Sequence, residues 1–141
     1  MKKLPCVLLV DDDQTANFLN ASLLRRLEVA EQVLVAQEGA QALALLQEYC
    51  ASADSTACPA LVLLDISMPG MNGIEFLAAY QQLVPVQKRR CVVVVLTTSL
   101  HPRDVAQVHQ FPVDGFLDKP LTPNKLNDLL KQHFQWELPA V

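Results

Sequence analysis

VVVVL at residues 92–96 is a run of five apolar residues with nothing polar between them. A strand with one wet face alternates apolar and polar side chains, whereas a strand covered on both faces has no reason to alternate. VLLV at 7–10 and LVLL at 61–64 share this character, and QVLVA at 32–36 and VDGFL at 113–117 bring the runs to five. After each run the apolar spacing becomes helical. Leu19, Leu23 and Leu27 stand four apart in the first such segment. Leu43 and Leu46 mark the second, and Ile74, Leu77 and Ala78 the third. A short, mostly polar fourth segment at about 102–110 has only Val105, Ala106 and Val108 as anchors, and the fifth carries Leu126, Leu129, Leu130 and Phe134. Strict strand–helix alternation predicts an α/β fold, a (βα)5 doubly wound parallel sheet.

Start signals agree with these boundaries. Asn72 followed by Glu75 fits a capping box, Pro102 suits a first helical turn, and Thr122-Pro123 reads as an N-cap and its successor. The 141 residues suit one domain, expected over 1–134, with 135–141 a short C-terminal tail too brief for an output module.

A net charge of −4 gives no electrostatic footprint for nucleic acid or an anionic membrane surface. No apolar run approaches the ~18 residues of a membrane helix, and the start, MKKLPCVLLVDDD, meets acids too early for a secretion signal. A cytoplasmic location is expected. Of the cysteines, Cys6 and Cys91 each open an apolar run and read as small buried hydrophobes. Cys50 and Cys58 flank the small-residue loop ASADSTA in a spacing that matches no zinc pattern, so neither a disulfide nor a metal role is expected of them in a reducing compartment.

In open α/β sheets ligands bind beyond the carboxyl ends of the strands. The first run is followed there by Asp11, Asp12 and Asp13, and the third by Asp65. The fourth leads into Thr97, Thr98 and Ser99, and the fifth into Asp118, Lys119 and Pro120. Carboxylates converging on one rim repel unless a cation or proton intervenes. Oxygen-only ligands suit Mg2+, and a nearby lysine and hydroxyl suit a phosphoryl group, with an aspartate as the candidate nucleophile. Taken singly, an acid triplet after a strand is more often a helix N-cap, and Lys-Pro an ordinary loop. Their placement at one sheet edge argues for a shared site.

VLLVDDD, LVLLDISMPGMNG, VVVVLTTS and GFLDKPL, in that order, resemble the receiver domain of two-component response regulators, over about Leu4 to Phe134. The resemblance implies a flavodoxin-like sheet of order 2-1-3-4-5 in a bacterial phosphorelay protein. It implies that Asp65 accepts a phosphoryl group from a sensor histidine kinase or a histidine phosphotransfer protein, in a Mg2+-dependent reaction. Asp11 and Asp12 match the acidic pair, Asp12 as the direct Mg2+ ligand and Asp11 acting through water, and Ser67 would add its backbone carbonyl. Thr97 matches the switch hydroxyl, Lys119 the phosphoryl-pairing lysine and Phe116 the switch aromatic. Output would pass to an unknown downstream protein partner rather than to nucleic acid or a membrane. Thr98 departs from the family pattern by its size, Asp118 by its charge beside Lys119, and Phe116 by lacking a hydroxyl.

Two alternatives compete. DDDQT also fits a haloacid-dehalogenase-like phosphatase with Asp11 as nucleophile and Asp13 as acid/base, though this leaves DISMPGMNG without a role. A receiver-like adaptor that binds partners without phosphorylation would keep the fold but has no use for the rim residues.

Overall fold

In a computed structural model the described residues are 3–50, 58–66, 73–83, 91–97, 106–108, 110–111 and 113–135. The order is β1 (Leu4–Val10), α1 (Gln14–Arg26), β2 (Ala30–Ala36), α2 (Gly39–Tyr49), β3 (Leu61–Leu64), α3 (Gly73–Leu83) and β4 (Val92–Thr97). A helical stretch at 106–108, called α4 here, precedes β5 (Gly115–Asp118) and α5 (Pro123–Phe134). The five strands form one parallel sheet of order β2-β1-β3-β4-β5.

The uninterrupted apolar runs are explained by two covering layers. Val7, Leu9, Leu61, Leu63, Val94 and Leu96 pack with Ala21 and Leu24 of α1 and Leu126, Leu129 and Leu130 of α5. Their neighbours in sequence, Leu8, Val10, Val62, Leu64, Val93 and Val95, pack on the other face with Ala42 and Leu46 of α2, Phe76, Leu77 and Tyr80 of α3, and Val108 of α4. Each strand thus feeds both cores with a period of two. Each fully buried leucine contributes roughly 1.5–3 kcal/mol relative to exposure.

Two helix starts are as their residues suggest. Asp13 is the N-cap of α1, its Oδ1 accepting from the Thr15 and Ala16 N–H groups at 2.9 and 3.3 Å. Thr122 caps α5, with its hydroxyl accepting from the Lys125 N–H at 3.2 Å and Pro123 in the first turn. Asn72 and Pro102 lie outside the described residues, as does most of the fourth helical segment.

Four expectations need correction. The buried stripe of α1 is Asn17, Ala21, Leu23 and Leu24, whereas Leu19 is 59% exposed. The fifth strand is Gly115–Asp118 rather than 113–117: the Val93 N–H, which would extend the ladder by donating to a backbone carbonyl, donates instead to the Asp114 carboxylate. Cys91 is half-buried rather than a core residue, while Cys6 is fully buried as read. Cys50 and Cys58 form a disulfide. The end of α2 and the residues leading into β3 arrive at the same end of the sheet, which brings the two Cα atoms to 4.7 Å, within bridging range.

Candidate functional site

The sheet ladder runs one residue past several strands and thereby fixes the rim. The Asp11 N–H donates to the Ala36 carbonyl at 3.0 Å, and the Asp65 N–H to the Val10 carbonyl at 2.9 Å. The Lys119 N–H donates to the Thr97 carbonyl at 3.0 Å, and Thr97 stands in register with Asp118. The backbones of Asp11, Asp65 and Lys119 are therefore held as rigidly as the strands themselves, while their side chains leave the sheet edge together.

Carboxylate oxygens of Asp11, Asp12 and Asp65 lie within 4.8 Å of one another. Asp11 and Asp65 are only 5% and 6% exposed, and Asp12 opens to solvent. The Lys119 Nζ donates to Asp11 Oδ2 and sits 3.6 Å from Asp65 Oδ2. Burial alone would lower the Lys119 pKa. The hydrogen bond to Asp11 and the charges of Asp65 and Asp11 outweigh burial and hold the ammonium above the usual lysine value. The rim is thus a pocket of three acids with one built-in cation. Oxygen donors with an exposed member at the mouth are the ligand type of a hard divalent cation.

Thr97 is buried at the end of β4. Phe116 is half-buried in β5, opposite Val95, and packs on the α3 side of the sheet. The structure thus brings Asp11, Asp12, Asp65, Lys119 and Thr97 to one edge, with Phe116 two residues before that edge. Ser67, Thr98 and Ser99 lie outside the described residues. Asp118 is exposed, and its carbonyl, with that of Pro120, accepts from the Lys125 Nζ at 2.9 and 3.1 Å. Asp13 turns away from the rim to cap α1, which removes the acid/base that a phosphatase built on Asp11 would need.

Asn17 is a site residue that sequence reasoning missed. Its Nδ2 donates to the Asp11 carbonyl at 2.7 Å, and it is 4% exposed. With the Asp13 N–H donating to Asp11 Oδ1 at 2.9 Å, it fixes both the backbone and the carboxylate of Asp11. The available signal was its position, four residues before Ala21 and seven before Leu24 on one helical stripe, where a polar residue needs a buried partner.

Gly73 shows why the chain restarts as a helix so close to Asp65. Its N–H donates to the Ile66 carbonyl at 3.2 Å, and a Cβ there would lie 2.6 Å from Ile66 Cα and 2.8 Å from the Asp65 carbonyl oxygen. Both obstacles are backbone and cannot swing away. Gly73→Ala is therefore expected to destabilise the fold by ~1–2 kcal/mol through forced backbone shifts, read as a lower urea midpoint. An unchanged midpoint would mean that α3 backs off without cost.

A family model for the response regulator receiver domain matches residues 7–131. Response regulator Rcp1 of Synechocystis sp. is 31% identical over 125 residues, 89% of this chain and 81% of its own length. Transcriptional regulatory protein CpxR of Klebsiella pneumoniae is 36% identical over 85% of this chain, which spans 45% of that longer relative. The crystal structure of a two-component response regulator from Cytophaga hutchinsonii superimposes with a TM-score of 0.82 at 34% identity, covering 96% of this chain and all of that one (100%).

Proposed function

The chain belongs to the response regulator receiver domain family, and on that footing we propose that Asp65 accepts a phosphoryl group from the phosphohistidine of a sensor histidine kinase or a histidine phosphotransfer protein. A carboxylate oxygen of Asp65 attacks phosphorus, the P–N bond to imidazole breaks, and the imidazole nitrogen keeps the electron pair and takes up a proton. The observation that carries this reading is the placement of Asp65 at the rim, buried beside Asp11 and 3.6 Å from the Lys119 ammonium. A nucleophile so held is pre-aimed, and the lysine offers a positive charge where phosphoryl oxygens arrive.

Mg2+ is the cofactor that this reading requires. The residues fit it: Asp11, Asp12 and Asp65 supply only oxygen donors, close enough to share one ion. The Ser67 carbonyl is the fourth proposed contact. When bound, Mg2+ offsets the negative charge that a phosphoryl group adds to an acidic rim. Thr97 is assigned the hydroxyl that bonds the phosphorylated side chain, and Phe116 the aromatic whose packing follows it. The protein is then a signalling phosphoacceptor rather than an enzyme with a separate substrate, acting in the cytoplasm through a downstream protein partner. Among the described residues no helix is long and apolar enough to cross a membrane.

The test is incubation with acetyl phosphate, with and without Mg2+, followed by intact mass. Mg2+-dependent addition of one phosphoryl group supports the reading, and incorporation indifferent to Mg2+ contradicts it. Asp12→Ala separates the metal from the fold, because Asp12 is exposed and makes no contribution to the core. Removing one carboxylate at ligand distance is expected to weaken Mg2+ about 10–100-fold, since even a well-screened charge pair at contact is worth a few kcal/mol. Calorimetry reads the affinity, and the urea midpoint without Mg2+ should not fall. Wild-type affinity in this variant would place the ion elsewhere.

A further inference from the structure

The four cysteines are spread over three parts of the sequence, at 6, at 50 and 58, and at 91, yet the fold gathers them. Cys6 opens the unbroken buried run of β1, and its carbonyl accepts from the Ala60 N–H at 2.9 Å; the Ala60 carbonyl in turn accepts from the Val92 N–H at 2.8 Å. The residues just before β3 and β4 are therefore level with Cys6, at the amino-terminal edge of the sheet and opposite the acidic rim. Cys50 closes α2 and Cys91 precedes β4, both packed against the α2–α3 core. Cys50 and Cys58 are joined, and the sulfurs of Cys50, Cys58 and Cys91 all lie within 4.8 Å of one another.

A thiol held that close to both sulfurs of a disulfide has the reactants of an exchange already assembled, and only the small approach to bonding distance remains. We propose that Cys50, Cys58 and Cys91 form a thiol–disulfide exchange site, a redox modification site separate from the phosphoryl rim. Cys91 loses its proton to solvent, and its sulfur bonds to the Cys58 sulfur. The Cys50–Cys58 bond breaks, and its electron pair leaves on the Cys50 sulfur, which is then protonated. One S–S bond is made and one is lost, so no oxidant is consumed. Cys58 is the sulfur attacked because it is buried, whereas half-buried Cys50 leaves a thiolate that water can reach. Cys6 takes no part. Its burial, and then the neighbouring Cys91 charge, push its thiol up to about 11, so it stays protonated. Exchange moves the bridge from the α2–β3 connection to the paired starts of β3 and β4.

The test uses the oxidised full chain, held without added thiol at about pH 8, close to an ordinary thiol pKa. Acid quenching, alkylation of thiols and peptide mapping then read the linkages. Wild type is expected to give two bridged forms, Cys50–Cys58 and Cys58–Cys91, and Cys91→Ser only the first. Cys50→Ser treated with glutathione disulfide should convert to Cys58–Cys91. The proposal is overturned if wild type keeps Cys50–Cys58 alone with Cys91 fully alkylated. It is equally overturned if Cys6 appears in the second bridge, or if Cys50→Ser fails to join Cys58 to Cys91. None of these readouts involves Mg2+ or a phosphoryl donor, so the outcome is independent of the fate of Asp65.

Discussion

Asp65→Asn is expected to reduce phosphoryl incorporation from acetyl phosphate to background while the fold stays intact. The amide keeps the size and planar shape of the carboxylate but has no anionic oxygen to attack phosphorus, so the loss is of the nucleophile itself rather than of its surroundings. No neighbour can replace it. Asp11 is engaged by Lys119 and by the Asp13 N–H, and Asp12, although its carboxylate lies within 4.8 Å of the other two, is exposed to solvent rather than buried beside Lys119 as Asp65 is. The fold should tolerate the change, because two buried carboxylates share one ammonium and removing one negative charge relieves repulsion. Intact mass with and without Mg2+ reads the first effect and a urea midpoint the second. Undiminished incorporation in a folded variant would remove Asp65 from the phosphoacceptor role.

The architecture was legible because runs such as VVVVL and LVLL have only one comfortable place in a globular chain, between two covering layers. The rim followed from it, since a fixed topology puts the residues after β1, β3, β4 and β5 at one edge. Three things were not legible, for physical reasons. Phe18 and Leu19 are 70% and 59% exposed although α1 shows a leucine repeat. Helical spacing alone cannot say which of two apolar stripes meets the sheet, and the stripe that does includes the polar Asn17. The three acids at 11–13 are identical as letters, yet one is buried beside Lys119, one is solvated and one caps a helix. That division depends on the direction the chain takes as it leaves β1. The Cys50–Cys58 bridge depends on where α2 ends relative to β3, a distance in space that an eight-residue separation does not determine.

Lys119→Met is expected to make the stability of the fold depend on Mg2+. Methionine keeps an apolar stem and removes only the ammonium, so the packing of the lysine's methylenes is largely retained. What remains is Asp11 and Asp65, nearly dry, adjacent and without the cation that bonds one and lies 3.6 Å from the other. Breaking a fully buried ion pair costs ~3–5 kcal/mol because a charge is left uncompensated. Here the lysine side chain retains 17% exposure and water can reach the mouth, so a cost of ~2–3 kcal/mol is the better expectation. A divalent cation held by the same acids would supply the missing positive charge, and any ligand that binds only the folded state adds its binding free energy to stability. Mg2+ should therefore raise the urea midpoint of Lys119→Met more than that of wild type and recover much of the deficit seen with chelator present. Equal midpoints for the two proteins in chelator would show that solvent already screens the acids, and that the Lys119 contact with Asp11 contributes little to holding this edge of the sheet together.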